Sequence, residues 1–336
     1  MAENILKTDI STASRLSVAP MMDWTDRHCR YFHRLMSAET LLYTEMVTAP
    51  ALVRGDARHL LAFDPAEHPV AVQLGGSDPQ ELAQATRIAC DEGYDEVNLN
   101  VGCPSDRVQS GTFGAVLMKT PGLVADCVAA MREASSVDVT VKCRIGVDEQ
   151  EPRAVLPGFV ETVSAAGVTR FTIHARKAWL QGLSPKENRD IPPLDYALVH
   201  EIKRAFPGLH ISVNGGVQSL DEARRFLASG LDGVMIGRAA YHSPADILLP
   251  ADEEIFGRPG RKTARQVAEE MRPYIARHLA AGGRLHNVTR HMLGLFSGRP
   301  GARAWRRVLS EGAVAPGAGL DVLDAALAAV PEAAAA

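Results

Sequence analysis

Residues 210–237 read HISVNGGVQSLDEARRFLASGLDGVMIG and contain one complete strand–helix–strand unit. Residues 210–214 and 233–236 are short apolar runs, and residues 219–229 between them have the periodicity of an amphipathic helix. Two strands that are joined through a helix lie parallel in the same sheet. This stretch therefore predicts a parallel α/β architecture.

Similar units recur through the first 250 residues. Each apolar run is followed by polar, glycine-containing residues and then by helical spacing, as in residues 79–92, 121–134, 153–166 and 195–206. Eight such units match a (β/α)8 TIM barrel in number and in length, since these barrels typically have ~250 residues. A doubly wound open sheet is the alternative. The predicted strands are residues 16–21, 41–46, 69–74, 96–101, 139–144, 170–174, 210–214 and 233–236.

The alternation of strands and helices ends near residue 250. Residues 251–262 are charged and contain Gly and Pro, which predicts a linker. Residues 263–281, 286–296, 302–309 and 320–330 have helical spacing without strands. We therefore expect a barrel domain, residues 1–250, followed by a C-terminal helical domain with an Ala-rich tail, residues 263–336.

Composition excludes several classes of protein. The chain has 336 residues, of which 46% are hydrophobic and 23% are charged, so it is neither disordered nor collagen nor coiled coil. No apolar run approaches the ~20 residues that a membrane helix needs, and we expect a cytoplasmic protein. The five cysteines are widely spaced without a C-x-x-C pair, which indicates neither a disulfide framework nor a metal site.

Charge is distributed unevenly along the chain. Residues 261–310 contain eleven Lys or Arg and two acidic residues, whereas the whole chain has a net charge of −4. One segment is therefore strongly cationic within an acidic protein. This asymmetry indicates a polyanionic partner.

Polar and glycine residues follow the predicted strands, at the ends where barrel enzymes hold their sites. They are Pro20, Met21, Met22 and Asp23; Glu45; Gln73; Asn98, Asn100 and Cys103; Lys142 and Arg144; His174 and Arg176; Asn214, Gly215 and Gly216; and Gly237 and Arg238. The glycines after the seventh and eighth strands, together with Arg238, favour a phosphate site over simple tight turns. Lys142 and His174 can face a cofactor, although solvation at the rim explains each of them equally well.

Two kinds of side chain in this set suit a planar heterocycle. The amide of Gln73 can pair with the pyrimidine edge of a flavin or with barrel backbone. Asn98 and Asn100 project to the same side of one strand, and their carboxamides suit a pyrimidine base.

Cys103 follows the fourth predicted strand, between Gly102 and Pro104. An isolated cysteine is usually a small buried hydrophobic residue. Here its position at a strand end presents the thiol to the barrel mouth. A thiol can release its proton near neutral pH, so Cys103 can act as a general acid or as a nucleophile.

In these segments the sequence resembles the tRNA-dihydrouridine synthases, through APMMDWTD (19–26), NLNVGCP (98–104), VKCR (141–144), IHAR (173–176) and VNGG (213–216). Within that family it is most similar to the A subfamily, through KAWLQGLSPKENR (177–189), HMLGLF (291–296) and GARAWRR (301–307). The ordered set of motifs, rather than any one of them, carries the resemblance.

The resemblance implies an FMN-binding barrel that uses NADPH to reduce the C5=C6 bond of uridines in the tRNA D-loop, favouring positions 20 and 20a. It makes Cys103 the proton donor. The flavin contacts that it implies are Pro20, Met21, Met22, Gln73, Lys142, His174, Asn214, Gly215, Gly216, Gly237 and Arg238.

The tRNA contacts are expected at the mouth and in the basic segment. We expect Asn100 to contact the uracil, and we expect the protein to be a monomer that uses no metal. Exposed basic residues are the candidates for phosphate contact, although a solvated basic face would look the same. They are Lys186, Arg189, Arg290, Arg299, Arg303, Arg306 and Arg307.

Two other functions fit parts of the pattern. A flavin oxidoreductase with a small substrate, such as a dihydroorotate dehydrogenase, would share the barrel and the cofactor. A non-catalytic RNA-binding protein would share only the basic segment.

Overall fold

The computed structural model describes residues 9–105 and 113–331 of the chain. Eight parallel strands follow one another around a closed barrel, and β1 pairs with β8 to complete it. The prediction of a TIM barrel is confirmed, and the open sheet is wrong. The strands are β1 (Leu16–Val18), β2 (Leu41–Thr48), β3 (Val70–Gly75), β4 (Glu96–Val101), β5 (Asp138–Arg144), β6 (Arg170–His174), β7 (His210–Asn214) and β8 (Gly233–Ile236).

Helix α1 packs at the lower end of the barrel, and the other helices follow the strands around it. They are α1 (Ile10–Ala13), α2 (Arg27–Met36), α3 (Ala49–Arg54), α4 (Pro79–Glu92), α5 (Pro121–Glu133), α6 (Pro152–Ala165), α7 (Tyr196–Ala205), α8 (Leu220–Ala228), α9 (Arg238–His242), α10 (Pro244–Ile247) and α11 (Ala251–Glu254). Short 3-10 turns cover Arg58–Leu61, Pro65–Glu67, Gly114–Lys119 and Glu187–Arg189.

Local sequence explains where the helices begin. Asp78 accepts a hydrogen bond from the Glu81 N–H (2.9 Å) at the start of α4, and Ser219 accepts one from the Glu222 N–H (3.2 Å) at the start of α8. Such N-caps satisfy donors that the first helical turn leaves unpaired.

The first strand is shorter than predicted. The sequence predicts residues 16–21, but β1 ends at Val18 because Pro20 has no N–H for the ladder. The N–H of Met21 instead donates to Thr25 Oγ1 (2.9 Å), and Asp23 takes a positive φ of 64°. The chain therefore turns across the barrel mouth at this point.

Four further helices follow the barrel. They are α12 (Ala264–Ala280), α13 (Leu285–Thr289), α14 (Ala302–Gly312) and α15 (Leu320–Ala328). The prediction of one helix over residues 286–296 is wrong beyond Thr289. There Gly294 packs so tightly that a Cβ would lie 2.5 Å from the His242 carbonyl oxygen, and the Ser297 hydroxyl donates to that oxygen (2.8 Å).

The segment predicted as a linker is partly attached to the barrel. Its first residues form α11, in which Asp252 accepts from the Ser37 hydroxyl (2.5 Å) and from the Ala38 N–H (2.7 Å). Residues 257–263 have no regular structure. The end of the Ala-rich tail, residues 332–336, lies outside the described residues.

The C-terminal helices pack against α2. His28 and Tyr274 share a hydrogen bond between Nδ1 and the hydroxyl (2.7 Å), and Tyr31 stacks on Tyr274 with ring centroids 4.0 Å apart. Trp305 is fully buried and donates its indole N–H to the Met292 carbonyl (2.9 Å). One apolar core therefore extends from the barrel into these helices. Within residues 9–105 and 113–331, none of the helices is long and apolar enough to span a bilayer.

Candidate active site

The turn after β4 carries Cys103 to the barrel mouth, the end of the barrel where the strands terminate. Asn100 holds this turn, because its Oδ1 accepts from the N–H groups of Gly102 (3.0 Å) and Cys103 (2.9 Å). Cys103 is half-buried, whereas Cys143, on the next strand, is fully buried on the outer side. The thiol of Cys103 therefore sits at the mouth on a turn of fixed geometry.

Three carboxamides lie together inside the barrel beneath Cys103. Gln73 Nε2 donates to Asn98 Oδ1 (2.8 Å), and Asn100 Nδ2 donates to Gln73 Oε1 (2.7 Å). All three side chains are buried. Each primary amide nitrogen has a second hydrogen, so Gln73 and Asn100 each keep one donor for a bound molecule.

Positive charge surrounds the thiol. Burial, followed by the charge of Arg144, lowers the pKa of Lys142 to about 8. Burial also lowers the pKa of Arg144 to about 10, and the charge of Cys103 acts in the opposite direction. Within the described part of the chain, Lys142 has no carboxylate partner. This corner of the mouth therefore favours an electron-rich or anionic ligand.

Arg144 also connects two loops of the mouth. Its Nε donates to the Gly102 carbonyl (3.1 Å), and its Nη1 donates to the Asn188 carbonyl (2.9 Å) in the loop after β6. The Asn188 amide in turn bonds the backbone of Trp179 through both its oxygen (2.7 Å) and its nitrogen (2.8 Å). The long loop after β6 is thus fixed to the turn that carries Cys103.

Glycines and His174 shape the far side of the mouth. Gly215 and Gly216 have φ of 104° and 74°, which favour glycine. A Cβ on Gly215 would lie 2.5 Å from His174 Cδ2. The N–H groups of both glycines make no hydrogen bond within the described residues. Burial, followed by the charges of Arg144 and Lys142, holds the pKa of His174 well below its usual value, so its ring is neutral at pH 7.

Other predicted flavin contacts lie around these groups. Asn214 is buried and donates to the Met235 carbonyl (2.8 Å), and Arg238 pairs with Asp190 (2.8 Å) from the loop after β6. Met21 packs beside Gly237, and Met22 is 56% exposed at the rim. Pro20 lies between β1 and this turn.

The basic residues of the loop after β6 occupy different places. Lys186 is exposed on the outside of the loop. Arg189 is exposed and lies between Asn188, whose carbonyl accepts from Arg144, and Asp190, which pairs with Arg238. Arg189 therefore lies at the rim of the mouth.

The five arginines that the sequence predicts as tRNA contacts in the C-terminal region divide into two groups. Arg290 donates to the Asp23 carbonyl (2.9 Å) and to Asp26 Oδ2 (2.6 Å), and Arg299 donates to Asp246 Oδ1 (2.9 Å). A second group is exposed without an ion pair in the described part of the chain. We call this group the basic face; it comprises Arg303, Arg306 and Arg307.

A concave pocket of about 440 Å³ adjoins the basic face. Arg299, Arg303 and Arg306 line it together with small residues at the start of α14. The small residues leave room, and the guanidinium groups bring positive charge. The pocket is therefore suited to a phosphate group.

Two charged features of the fold are not among the residues predicted from the sequence. Glu96 lies inside the barrel below Asn98 and Asn100, and its spacing of two and four residues from them was the available signal. Asp26 and His291 meet between the barrel and the C-terminal helices, and no local pattern links residues so far apart.

These features define a (β/α)8-barrel protein with its polar site at the carboxyl ends of the strands. Residues 17–331 match the family model described as Dihydrouridine synthase (Dus), and the chain belongs to that family. The resemblance that the motifs indicated is confirmed.

Close relatives extend this assignment over nearly the whole chain. A protein of Vibrio vulnificus (strain CMCP6), 60% identical over 320 residues covering 95% of this chain and 97% of its own, is named tRNA-dihydrouridine(20/20a) synthase. A protein of Escherichia coli (strain K12) with the same name is 58% identical over 323 residues, covering 96% and 93%. The solved structure of morphinone reductase has a TM-score of 0.51 at 13% identity, covering 75% of this chain and 89% of its own, and it shares the fold.

Proposed function

We propose that the protein is an FMN-dependent tRNA-dihydrouridine synthase that uses NADPH to reduce the C5=C6 bond of uridines 20 and 20a in the tRNA D-loop. The observation that carries this proposal is Cys103, held by Asn100 on a turn that faces the cationic mouth. The names of the relatives support the substrate positions.

The donor set of the mouth fits FMN. The N–H groups of Gly215 and Gly216, which make no hydrogen bond within residues 9–105 and 113–331, are suited to the phosphate together with Gly237 and Arg238. Gln73, Lys142 and His174 are suited to the polar edge of the ring, and Asn214 with Pro20, Met21 and Met22 completes the enclosure. Bound there and reduced by NADPH, the flavin would supply a hydride to uridine C6.

Cys103 completes the reduction by donating a proton. Uracil C5=C6 is conjugated with the C4 carbonyl, so addition at C6 places negative charge on C5 and on the C4 oxygen. The Cys103 thiol would donate its proton to C5 and be left as a thiolate, which solvent reprotonates. The second N–H of Asn100 and the charge of Arg144 stabilise the developing charge on the oxygen.

The chain divides this work between two regions. The barrel, residues 1–250, holds flavin and uracil, and the C-terminal helical domain, residues 263–336, binds tRNA through the basic face; residues 251–262 connect them. Lys186 and Arg189 bind the backbone near the extruded base. Arg290 pairs with Asp26, and Arg299 pairs with Asp246. Each of these two arginines can therefore donate to a phosphate only through its remaining N–H groups. One chain carries every group, so the proposed active form is a monomer.

Replacing Cys103→Ala tests the proposal. We expect retained flavin and tRNA binding, with single-turnover formation of dihydrouridine slowed about 10²–10⁴-fold, since this is the usual contribution of a general acid. Mass spectrometry of unmodified tRNA after reaction measures the product and its position. Cys90→Ala, on the outer helix α4, is the matched control and should react like the wild type. Unchanged turnover of Cys103→Ala would exclude the acid role.

A further inference from the structure

A chain of hydrogen bonds runs through the barrel interior from its lower end, opposite the mouth. There Glu96 Oε1 accepts from the Tyr43 hydroxyl (2.6 Å) and from the Thr140 hydroxyl (2.5 Å). Thr140 Oγ1 accepts from Asn98 Nδ2 (2.8 Å). Glu96 and Asn98 are fully buried, and Tyr43 and Thr140 are nearly so.

The chain continues to the turn that carries the thiol. Asn98 Oδ1 accepts from Gln73, Gln73 Oε1 accepts from Asn100, and Asn100 Oδ1 accepts from the N–H groups of Gly102 and Cys103, at 2.7–3.0 Å. Every link therefore donates in the same direction, from the mouth down to the carboxylate.

The groups at the two ends of this hydrogen-bond chain determine the direction in which its members donate. Backbone N–H groups at the top can only donate, and a carboxylate at the bottom can only accept. Asn and Gln side chains can rotate to exchange oxygen and nitrogen, and each alone would tolerate either orientation. Because Glu96 requires the Thr140 hydroxyl to donate downward, Thr140 must accept from Asn98. The remaining amides then have one consistent orientation, which places the Asn100 oxygen under the turn.

The carboxylate itself is held in place. Arg170 Nη2 lies 2.9 Å from Glu96 Oε2 and also bonds Asp138 (3.1 Å). We propose that Glu96 and Thr140 are positioning residues for Cys103, acting through Asn98, Gln73 and Asn100. Carboxamides do not pass protons along at neutral pH, so the chain orients the turn and carries no proton. The effect on catalysis rests on the proposed function of Cys103.

Thr140→Val tests the chain, because valine keeps the shape of threonine and removes the hydroxyl. Thr140→Ser is the matched control that keeps the hydroxyl. We expect the amide hydrogens of Gly102 and Cys103 to exchange about fivefold faster in Thr140→Val and at the wild-type rate in Thr140→Ser, since one hydrogen bond contributes on this scale. Hydrogen exchange of the purified holoenzyme, followed by mass spectrometry of the peptide covering residues 96–104, measures this.

A double-mutant cycle links the chain to the thiol. Thr140→Val should slow single-turnover product formation about tenfold in the wild-type background and leave it unchanged in the Cys103→Ala background, because residues that act through one another are not additive. An equal loss in both backgrounds would overturn the positioning role and leave the function of Cys103 intact. An unimpaired Cys103→Ala enzyme would instead overturn the proposed function.

A second variant covers the case in which Thr140→Val does not fold. Glu96→Gln keeps the shape of the side chain but replaces one acceptor oxygen with an NH2 donor. The lower end of the hydrogen-bond chain can then donate as well as accept. We expect faster exchange of the same two amides, with the flavin absorption spectrum unchanged. Wild-type exchange rates in Glu96→Gln would contradict the proposal.

Discussion

Gly215 shows how tightly residues pack at the barrel mouth. Its φ of 104° is unfavourable for any residue with a Cβ, and an added Cβ would lie 2.5 Å from the His174 ring. Its missing side chain therefore serves two purposes. It permits the backbone conformation, and it leaves room for the His174 ring beside the peptide that is proposed to bind phosphate.

Replacing Gly215→Ala should therefore reduce both stability and flavin content. A residue with a Cβ in this conformation costs roughly 1–3 kcal/mol, and the shifted His174 ring would no longer fit the cofactor. Urea unfolding and the flavin-to-protein absorbance ratio measure the two effects. Gly208→Ala is the matched control, because nothing lies within 4 Å of the added Cβ. Full flavin content in Gly215→Ala would contradict the phosphate site proposed here.

The sequence predicts where single residues lie better than what they do. Alternation along β5 correctly separates Lys142 from the buried Cys143. It does not reveal that Arg144 joins the Gly102 and Asn188 carbonyls, because these partners come from other loops. The strand position of Asn100 was likewise predictable from the sequence. The hydrogen bond by which its side chain fixes the Cys103 turn was not.

At the scale of elements, the strands were predictable because each is a short apolar run between polar loops. The segment after Thr289 was not, because its helical spacing competes with tight packing of Gly294 against the barrel. Spacing reports the face that a segment would bury as a helix. It does not report a contact between Gly294 and the backbone of His242, which lies far earlier in the chain.

Helix α14 carries the next prediction. Arg303 and Arg306 lie on this helix and line the same pocket, without ion pairs in the described part of the chain. Replacing both with alanine should weaken tRNA binding and reduce the slope of log K against log salt by about 2, since each phosphate contact contributes about 0.9. Filter binding of unmodified tRNA over a range of salt concentrations measures this slope.

The control for this prediction removes the same charge elsewhere. Arg87 on α4 and Arg204 on α7 are exposed on the outer barrel helices, and their double alanine variant should keep the wild-type salt slope. NADPH-driven flavin reduction should be normal in both double variants. A slope lowered equally in both would mean that net charge, rather than the basic face, governs binding.

At the scale of the whole molecule, Asp26 joins the barrel to the C-terminal helices. It caps α2 by accepting from the N–H groups of His28 (2.9 Å) and Cys29 (3.0 Å), and it also accepts from Arg290 (2.6 Å) and His291 (3.1 Å). No spacing rule predicts the bonds from Arg290 and His291, because Asp26 precedes both residues by more than 260 positions. Burial raises the pKa of Asp26, but the hydrogen bond and charge of His291 outweigh it and hold the pKa far below 3.8.

Replacing Asp26→Asn should lower the free energy of unfolding by about 1–3 kcal/mol at pH 7, because asparagine still caps α2 but no longer offers a carboxylate to Arg290 and His291. Since the folded-state pKa of Asp26 lies below its unfolded value, this contribution is fully present above about pH 5 and is lost progressively as the pH falls from there through the folded value. Urea unfolding should therefore give the same difference from wild type at pH 7 and at pH 5. Asp246→Asn removes another acidic partner of a C-terminal arginine, Arg299, at a site where the aspartate is 53% exposed, and it should change stability by less than about 1 kcal/mol. Equal losses in the two variants would show that Asp26 is an ordinary surface partner rather than the joint between barrel and helices.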